Sequence, residues 1–98
     1  MAERDEIVSI LKREVMGVRG RFGVKRIGLF GSIVRNEGDN TSDIDLIVEF
    51  DPSLVSYKKY LDLETYLQSL FPRPIEIVTT DGVSPYILPY ISREVVWV

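Results

Sequence analysis

The chain has 98 residues, 45% apolar and 28% charged, a balance that fits one small globular domain spanning residues 1–98. It holds no cysteine and no histidine, which excludes disulfide staples, thiolate or imidazole zinc sites, a cysteine nucleophile and Ser-His-Asp hydrolysis. Twelve basic residues against fifteen acidic ones leave a net charge of −3, without the basic footprint of a stand-alone nucleic-acid binder.

Apolar side chains at Ile7, Ile10, Leu11, Val15 and Val18 recur at helical spacing, so residues 5–18 are predicted to form a helix. Glu3, Asp5 and Glu6 at its start suit the helix dipole, and Gly17, Gly20 and Gly23 are expected to end it. Val24 to Phe30 reads as a largely buried strand, followed by Gly31-Ser32. Ile33, Val34 and Arg35 then make one helical turn, which Asn36 can stop in the left-handed conformation. Glu37 to Ser42 is a polar loop.

Asp43 to Phe50 is the next predicted strand. Leu54 to Phe71 follows as a helix, with Leu61, Leu63, Tyr66, Leu67 and Leu70 as its apolar stripe and Pro72 and Pro74 beyond its end. Ile75 to Val78 is a third strand. Ser84-Pro85 opens a short helix through Tyr86, Ile87, Leu88, Tyr90 and Ile91, and Glu94 to Val98 makes a last strand. This order predicts an α/β (α+β) fold, a mixed sheet of about four strands with helices mainly on one face. No apolar run approaches the roughly 18 residues of a membrane span. The charged start carries no secretory core, so a cytoplasmic place with no membrane contact is expected.

Glu37, Asp39, Asp43, Asp45, Glu49 and Asp51 crowd one stretch that holds no basic residue. Glu37, Asp39 and Asp51 sit among turn formers and read as solvated loop residues. Asp43 and Asp45 share one face of a strand, where like charges repel and aspartate is a poor strand former. Such a pair is either an exposed polar strand face or a seat for a hard cation, Mg²⁺ or Mn²⁺. Gly31-Ser32 is either an ordinary turn or a phosphate cradle of backbone N–H groups and a hydroxyl. Arg35 can neutralise a phosphate or cover apolar surface with its stem.

Gly31-Ser32, ten intervening residues that end on Ser42, then Asp43-Ile44-Asp45-Leu46 resembles the nucleotidyltransferase superfamily that shares its palm with the β-type DNA polymerases. Nearly the whole chain is similar to the minimal nucleotidyltransferases, the antitoxin half of HEPN/MNT toxin–antitoxin pairs. The resemblance implies a palm-like sheet. It makes Glu76, in Pro74-Ile75-Glu76-Ile77-Val78, the third carboxylate, where the family more often has aspartate. Without it, Glu76 is an outward-facing strand residue. Ile33 and Asp39 stand where many relatives carry basic residues, and Asn36 where glycine is usual; Arg35 matches a basic position.

The resemblance further implies two-metal nucleotidyl transfer, with ATP as the donor. Asp43, Asp45 and Glu76 would hold Mg²⁺ or Mn²⁺, and Gly31, Ser32 and Arg35 would bind the triphosphate. The implied acceptor is a tyrosine hydroxyl of a HEPN ribonuclease toxin. An alternative of another class is an antitoxin that neutralises its partner by binding alone. Direct nucleic-acid binding is not expected. Tyr57, Tyr60, Tyr86, Tyr90 and Trp97 are candidates for a partner surface, through which the chain would self-associate or bind its partner.

Overall fold

Residues 3–37 and 42–98 are described by the computed structural model of the chain. Asp39, together with Gly38 and Asn40 of the predicted polar loop, lies outside them. The elements run α1 (Glu3–Phe22), β1 (Val24–Phe30), β2 (Ile44–Phe50), α2 (Tyr57–Ser69), β3 (Ile75–Thr79), α3 (Leu88–Glu94) and β4 (Val96–Trp97). The four strands are ordered β3-β2-β1-β4. β1 pairs antiparallel with β2 and with β4, while β2 and β3 are parallel, so the sheet is mixed as expected.

The main core cluster lies on one sheet face, and Ile47 of β2, of the opposite parity, is buried on the other. Alternation sends Ile44, Leu46 and Val48 of β2 and Ile27 and Leu29 of β1 to the cluster's side, where α1 contributes Ile7, Leu11, Val18 and Phe22 and α2 contributes Leu63 and Leu67. Asp43, Asp45 and Glu49 have the opposite parity. The face packed by α1 and α2 and the face that carries the carboxylates, with Ile47 buried between Asp45 and Glu49, are therefore two sides of one strand.

Helix α1 is longer than predicted and runs through Gly17 and Gly20 to Phe22. Both glycines are exposed, and a Cβ at either would meet nothing within 4 Å. Their cost is therefore one of propensity, about 1 kcal/mol each, and burial of Phe22 one turn past Val18 outweighs it. The helix stops at Gly23, whose φ of +69° carries the chain into β1.

Helix α2 starts at Tyr57, three residues after the predicted Leu54. The Asp51 carboxylate accepts the Ser53 N–H at 2.9 Å and its hydroxyl at 2.7 Å, and the Asp51 carbonyl accepts the N–H groups of Leu54 and Val55. Those residues are thereby held in a turn, and Ser56 caps the helix by accepting the Lys59 N–H. Leu61, predicted in the apolar stripe, is exposed, because the buried line of α2 runs through Leu63 and Leu67.

Serine 84 accepts the Tyr86 N–H in a turn that precedes α3, so this helix begins at Leu88 rather than Tyr86, with Pro89 in its first turn. It ends at Glu94, not before it: the Val95 N–H still donates to the Ile91 carbonyl at 2.9 Å. The last strand is correspondingly short, Val96–Trp97. Trp97 and Val95 close over Gly28, where an added Cβ would lie 2.9 Å from Trp97 Cε3 and 2.5 Å from Val95 Cγ2. The Arg26 guanidinium covers the Trp97 ring at 3.8 Å from its centroid. Among the described residues no helix is long and apolar enough to cross a membrane.

Candidate functional site

The parallel start of β2 and β3 is set by a short polar network. The Ile44 N–H donates to the Pro74 carbonyl at 3.0 Å. Arg73 donates through Nε to the Ser42 carbonyl at 3.1 Å and pairs with Glu3 of α1. Gln68 at the end of α2 donates to the Arg73 carbonyl and accepts the Ile75 N–H. In the register that results, Asp45 stands directly opposite Glu76 on β3 and opposite Phe30 at the end of β1.

Asp45 and Glu76 therefore project side by side from the sheet face that α1 and α2 do not cover. Asp45 is half-buried; Asp43, one residue before β2, and Glu76, on the edge strand, are exposed. Burial, together with the neighbouring charges of Glu76 and Asp43, pushes the Asp45 carboxyl from its ordinary 3.8 up to about 6, and a hydrogen bond with Glu76 adds to this. Arg35 opposes the shift. The electrostatics are those of like charges held together. Among the described residues no three acidic side chains are drawn into a ready-made cation shell. The close unit is Asp45 with Glu76, and Asp43 stands beside it.

Gly31-Ser32 follows β1 directly. Gly31 has φ +88°, and a Cβ there would fall 2.1 Å from Asp45 Oδ2. Only glycine lets the chain turn while the Asp45 carboxylate lies against it. The predicted turn then forms: the Arg35 N–H donates to the Gly31 carbonyl at 3.3 Å, Asn36 to Ile33 at 3.2 Å, and Glu37 to Ser32 at 2.9 Å. Ile33 is buried and anchors the turn to the core. Asn36 ends it at φ 60°, taking the conformation that a glycine would.

One expectation about this turn needs correction. The Gly31 N–H is not a free donor, because it is bonded to Glu94 Oε2 at 2.9 Å. Gly31 contributes shape, and the Ser32 hydroxyl and N–H, which have no partner among the described residues, remain as donors. Arg35, expected either to neutralise a phosphate or to cover apolar surface with its stem, is ion-paired within the fold. Its Nε donates to Glu37 at 2.8 Å and its Nη1 to both oxygens of Glu94 at 3.0 and 2.9 Å. The hydrogen bond to Glu37, and then the charges of Glu94 and Glu37, hold its pKa above the ordinary value. Glu94 went unnoticed in the sequence, where it reads as the first residue of a valine-rich strand and its partners lie 63 and 59 residues away.

Asp43, Asp45 and Glu76 offer oxygen donors only, the set that suits Mg²⁺ or Mn²⁺ rather than zinc. The raised Asp45 carboxyl is the observation that fits: a cation placed between it and Glu76 would relieve the repulsion that raises it.

The nucleotidyltransferase domain family matches residues 5–98. A protein adenylyltransferase, MntA, of Thermococcus cleftensis is 40% identical over 100 aligned positions that cover all of this chain and 98% of that protein. A provisionally assigned protein adenylyltransferase of Methanocaldococcus jannaschii is 33% identical over the full length of both chains. A solved structure provisionally assigned as a minimal nucleotidyltransferase superposes with a TM-score of 0.78 at 27% identity, covering 93% of this chain and 92% of that one. A toxin–antitoxin structure with AMP-PNP has the same fold, with a TM-score of 0.65 at 19% identity over 97% of this chain and 71% of that one. With the Gly31-Ser32 turn lying against the Asp45–Glu76 pair, these likenesses place the molecule: the chain belongs to the nucleotidyltransferase domain family, in its minimal form.

Proposed function

We propose that the chain, acting as one domain over residues 1–98, transfers AMP from ATP to a hydroxyl of a partner protein, and that the partner is a HEPN-type toxin with a tyrosine as acceptor. The observation that carries the reading is the Asp45–Glu76 pair, side by side on the sheet face away from α1 and α2, with Gly31 packed against Asp45. A protein acceptor is supported by the 40% identical relative, which is named a protein adenylyltransferase. A toxin partner is supported by the complex of the same fold named MntA–HpeT toxin–antitoxin. Exposed Tyr57, Tyr86 and Tyr90 offer contact area to a partner, whereas Tyr60 packs against Phe50 and Trp97 against Gly28.

In this reading Asp43, Asp45 and Glu76 would hold Mg²⁺ or Mn²⁺, which when bound would supply charge to offset the triphosphate and the oxygens that gain charge during transfer. Ser32 binds phosphate oxygens through its hydroxyl and N–H, at the end of β1 where Gly31 allows a close approach. Arg35 adds positive charge to that turn. The acceptor oxygen attacks the α-phosphorus; the new O–P bond forms as the bond to the bridging oxygen breaks, and pyrophosphate departs. The hydroxyl proton passes to a carboxylate, the ordinary base left to a chain without histidine, and Glu76, exposed on the edge strand, takes that role.

The test is to incubate the protein with ATP, Mg²⁺ and a HEPN-type toxin encoded beside it, and to weigh the toxin. A gain of one or more AMP groups, absent with Asp45→Asn, is expected. A toxin that is neutralised without any gain in mass would establish the binding-only antitoxin in place of the transferase.

A further inference from the structure

We propose that Glu94 is a positioning residue for nucleotide binding. It clamps the Gly31 amide and the Arg35 guanidinium so that Arg35 presents its remaining nitrogen to the triphosphate. The inference rests on the reading of the Gly31-Ser32 turn as the phosphate cradle.

Glu94 Oε2 accepts from Gly31 N and from Arg35 Nη1, each at 2.9 Å, and Oε1 accepts from Nη1 at 3.0 Å. One carboxylate therefore grips both ends of the turn, its first residue through the backbone and its last cationic residue through the side chain. Arg35 Nε is held by Glu37, and Nη2 has no partner among the described residues. A guanidinium fixed at two nitrogens has its third aimed, and that nitrogen carries two donors suited to phosphate oxygens.

The two carboxylates are not equivalent. The Glu37 side chain is 63% exposed and belongs to the same loop as Arg35, so its ion pair is weak and moves with the turn. The Glu94 side chain is 21% exposed and comes from the far end of the sequence. Its backbone is fixed on both sides: α3 ends at Glu94, Val95 seats against Gly28, and Val96 and Trp97 pair with β1. Among the described residues, Glu94 is the side chain that ties Arg35 to the rest of the fold. An opposite role, an internal anion that the nucleotide must expel, is disfavoured. Expulsion would leave a half-buried carboxylate beside the incoming phosphates.

The experiment compares the full-length wild type with Glu94→Gln, Glu94→Ala and Arg35→Ala, measuring the Kd for ATP with Mg²⁺ by calorimetry at 20 °C and the Tm of each. Glu94→Ala should weaken ATP binding roughly ten- to a hundredfold, the loss expected when a charge-assisted hydrogen bond is misplaced. Glu94→Gln keeps an oxygen for the Gly31 N–H and should fall between. On the Arg35→Ala background Glu94→Gln should add less than about threefold, because its effect travels through Arg35. A merely structural Glu94 would lower Tm and leave Kd unchanged. That result, or tighter ATP binding, overturns the proposal. If Glu94→Ala does not fold, the isosteric Glu94→Gln decides. A wild type that fails to bind ATP with Mg²⁺ refutes the cradle itself, whereas a binding wild type with unaffected variants refutes only the role of Glu94.

Discussion

Replacing Asp45 by asparagine should make the metal-free protein more stable, although the change strikes the centre of the candidate site. Asp45 is held beside Glu76 and near Asp43, and burial with those two charges pushes its carboxyl up to about 6 from 3.8. A displacement of that size corresponds to roughly 3 kcal/mol if nothing screens it. The side chain is half-buried at an open rim, so solvent screening reduces the effect to about 1–1.5 kcal/mol. Asparagine keeps the shape and removes the charge. At pH 7.5 its Tm should exceed that of the wild type by about 4–10 °C for a domain of this length.

The sign of the pH dependence follows. The folded carboxyl titrates above the unfolded one, so the folded state binds the proton more tightly, and the wild type loses stability as pH rises from about 4 to about 6. Above that window the penalty is complete; below it both states are protonated and the penalty vanishes. The advantage of Asp45→Asn should therefore be widest at pH 7–8 and close towards pH 4. Calorimetric melts of both proteins at pH 4, 5, 6 and 7.5, without divalent cation or nucleotide, measure the gap directly. A gap that does not change with pH, or an asparagine variant less stable than wild type at pH 7.5, would refute the account of Asp45 as a carboxylate raised by its neighbours.

ATP with Mg²⁺ at ten times its Kd should raise the wild-type Tm by about 5–10 °C, or about 1.4 kcal/mol. Asp43→Asn combined with Asp45→Asn should abolish that rise and AMP transfer together, and a full rise in the double variant would make these aspartates structural. Gly31→Ala should cost about 2 kcal/mol or more in urea unfolding, since it combines a φ of +88° with a Cβ placed 2.1 Å from Asp45 Oδ2; an unchanged midpoint would show that the turn does not need glycine. Leu67→Ala, at a fully buried position of α2, should cost about 2–5 kcal/mol, and a loss under about 1 kcal/mol would mean that α2 is not part of the cooperative core.

Local chemistry decided what could be read in advance. Strand β1 was legible at both ends because Gly23 and Gly31, each at positive φ, punctuate it. Asn36 was legible because few residues other than asparagine and glycine adopt the left-handed conformation readily. The full extent of α1 was not, since Gly17 and Gly20 carry a stop signal that Phe22 overrides through a burial visible only in the fold. Leu61 failed for the same reason: an apolar side chain at helical spacing does not say on which edge of the stripe the sheet lies.

The site divides along the same line. Parity alone put Asp43 and Asp45 on one face, but only the parallel pairing of β3 with β2 brings Glu76 opposite Asp45. Read as a strand residue without the family resemblance, it would merely have faced outwards. Glu94 lay beyond reach altogether, because no local pattern marks a carboxylate whose partners are Gly31 and Arg35. Its contacts change how the turn works. A glycine whose N–H is already bonded and an arginine held at two nitrogens do not form a loose anion trap that closes on its ligand. They form a turn shaped from the back by Glu94, and in the proposed reading the Ser32 donors and Arg35 Nη2 are the groups left for the triphosphate. Holding donors in place before the ligand arrives reduces the ordering that binding must impose. In a chain of 98 residues, the last helix is where that support comes from.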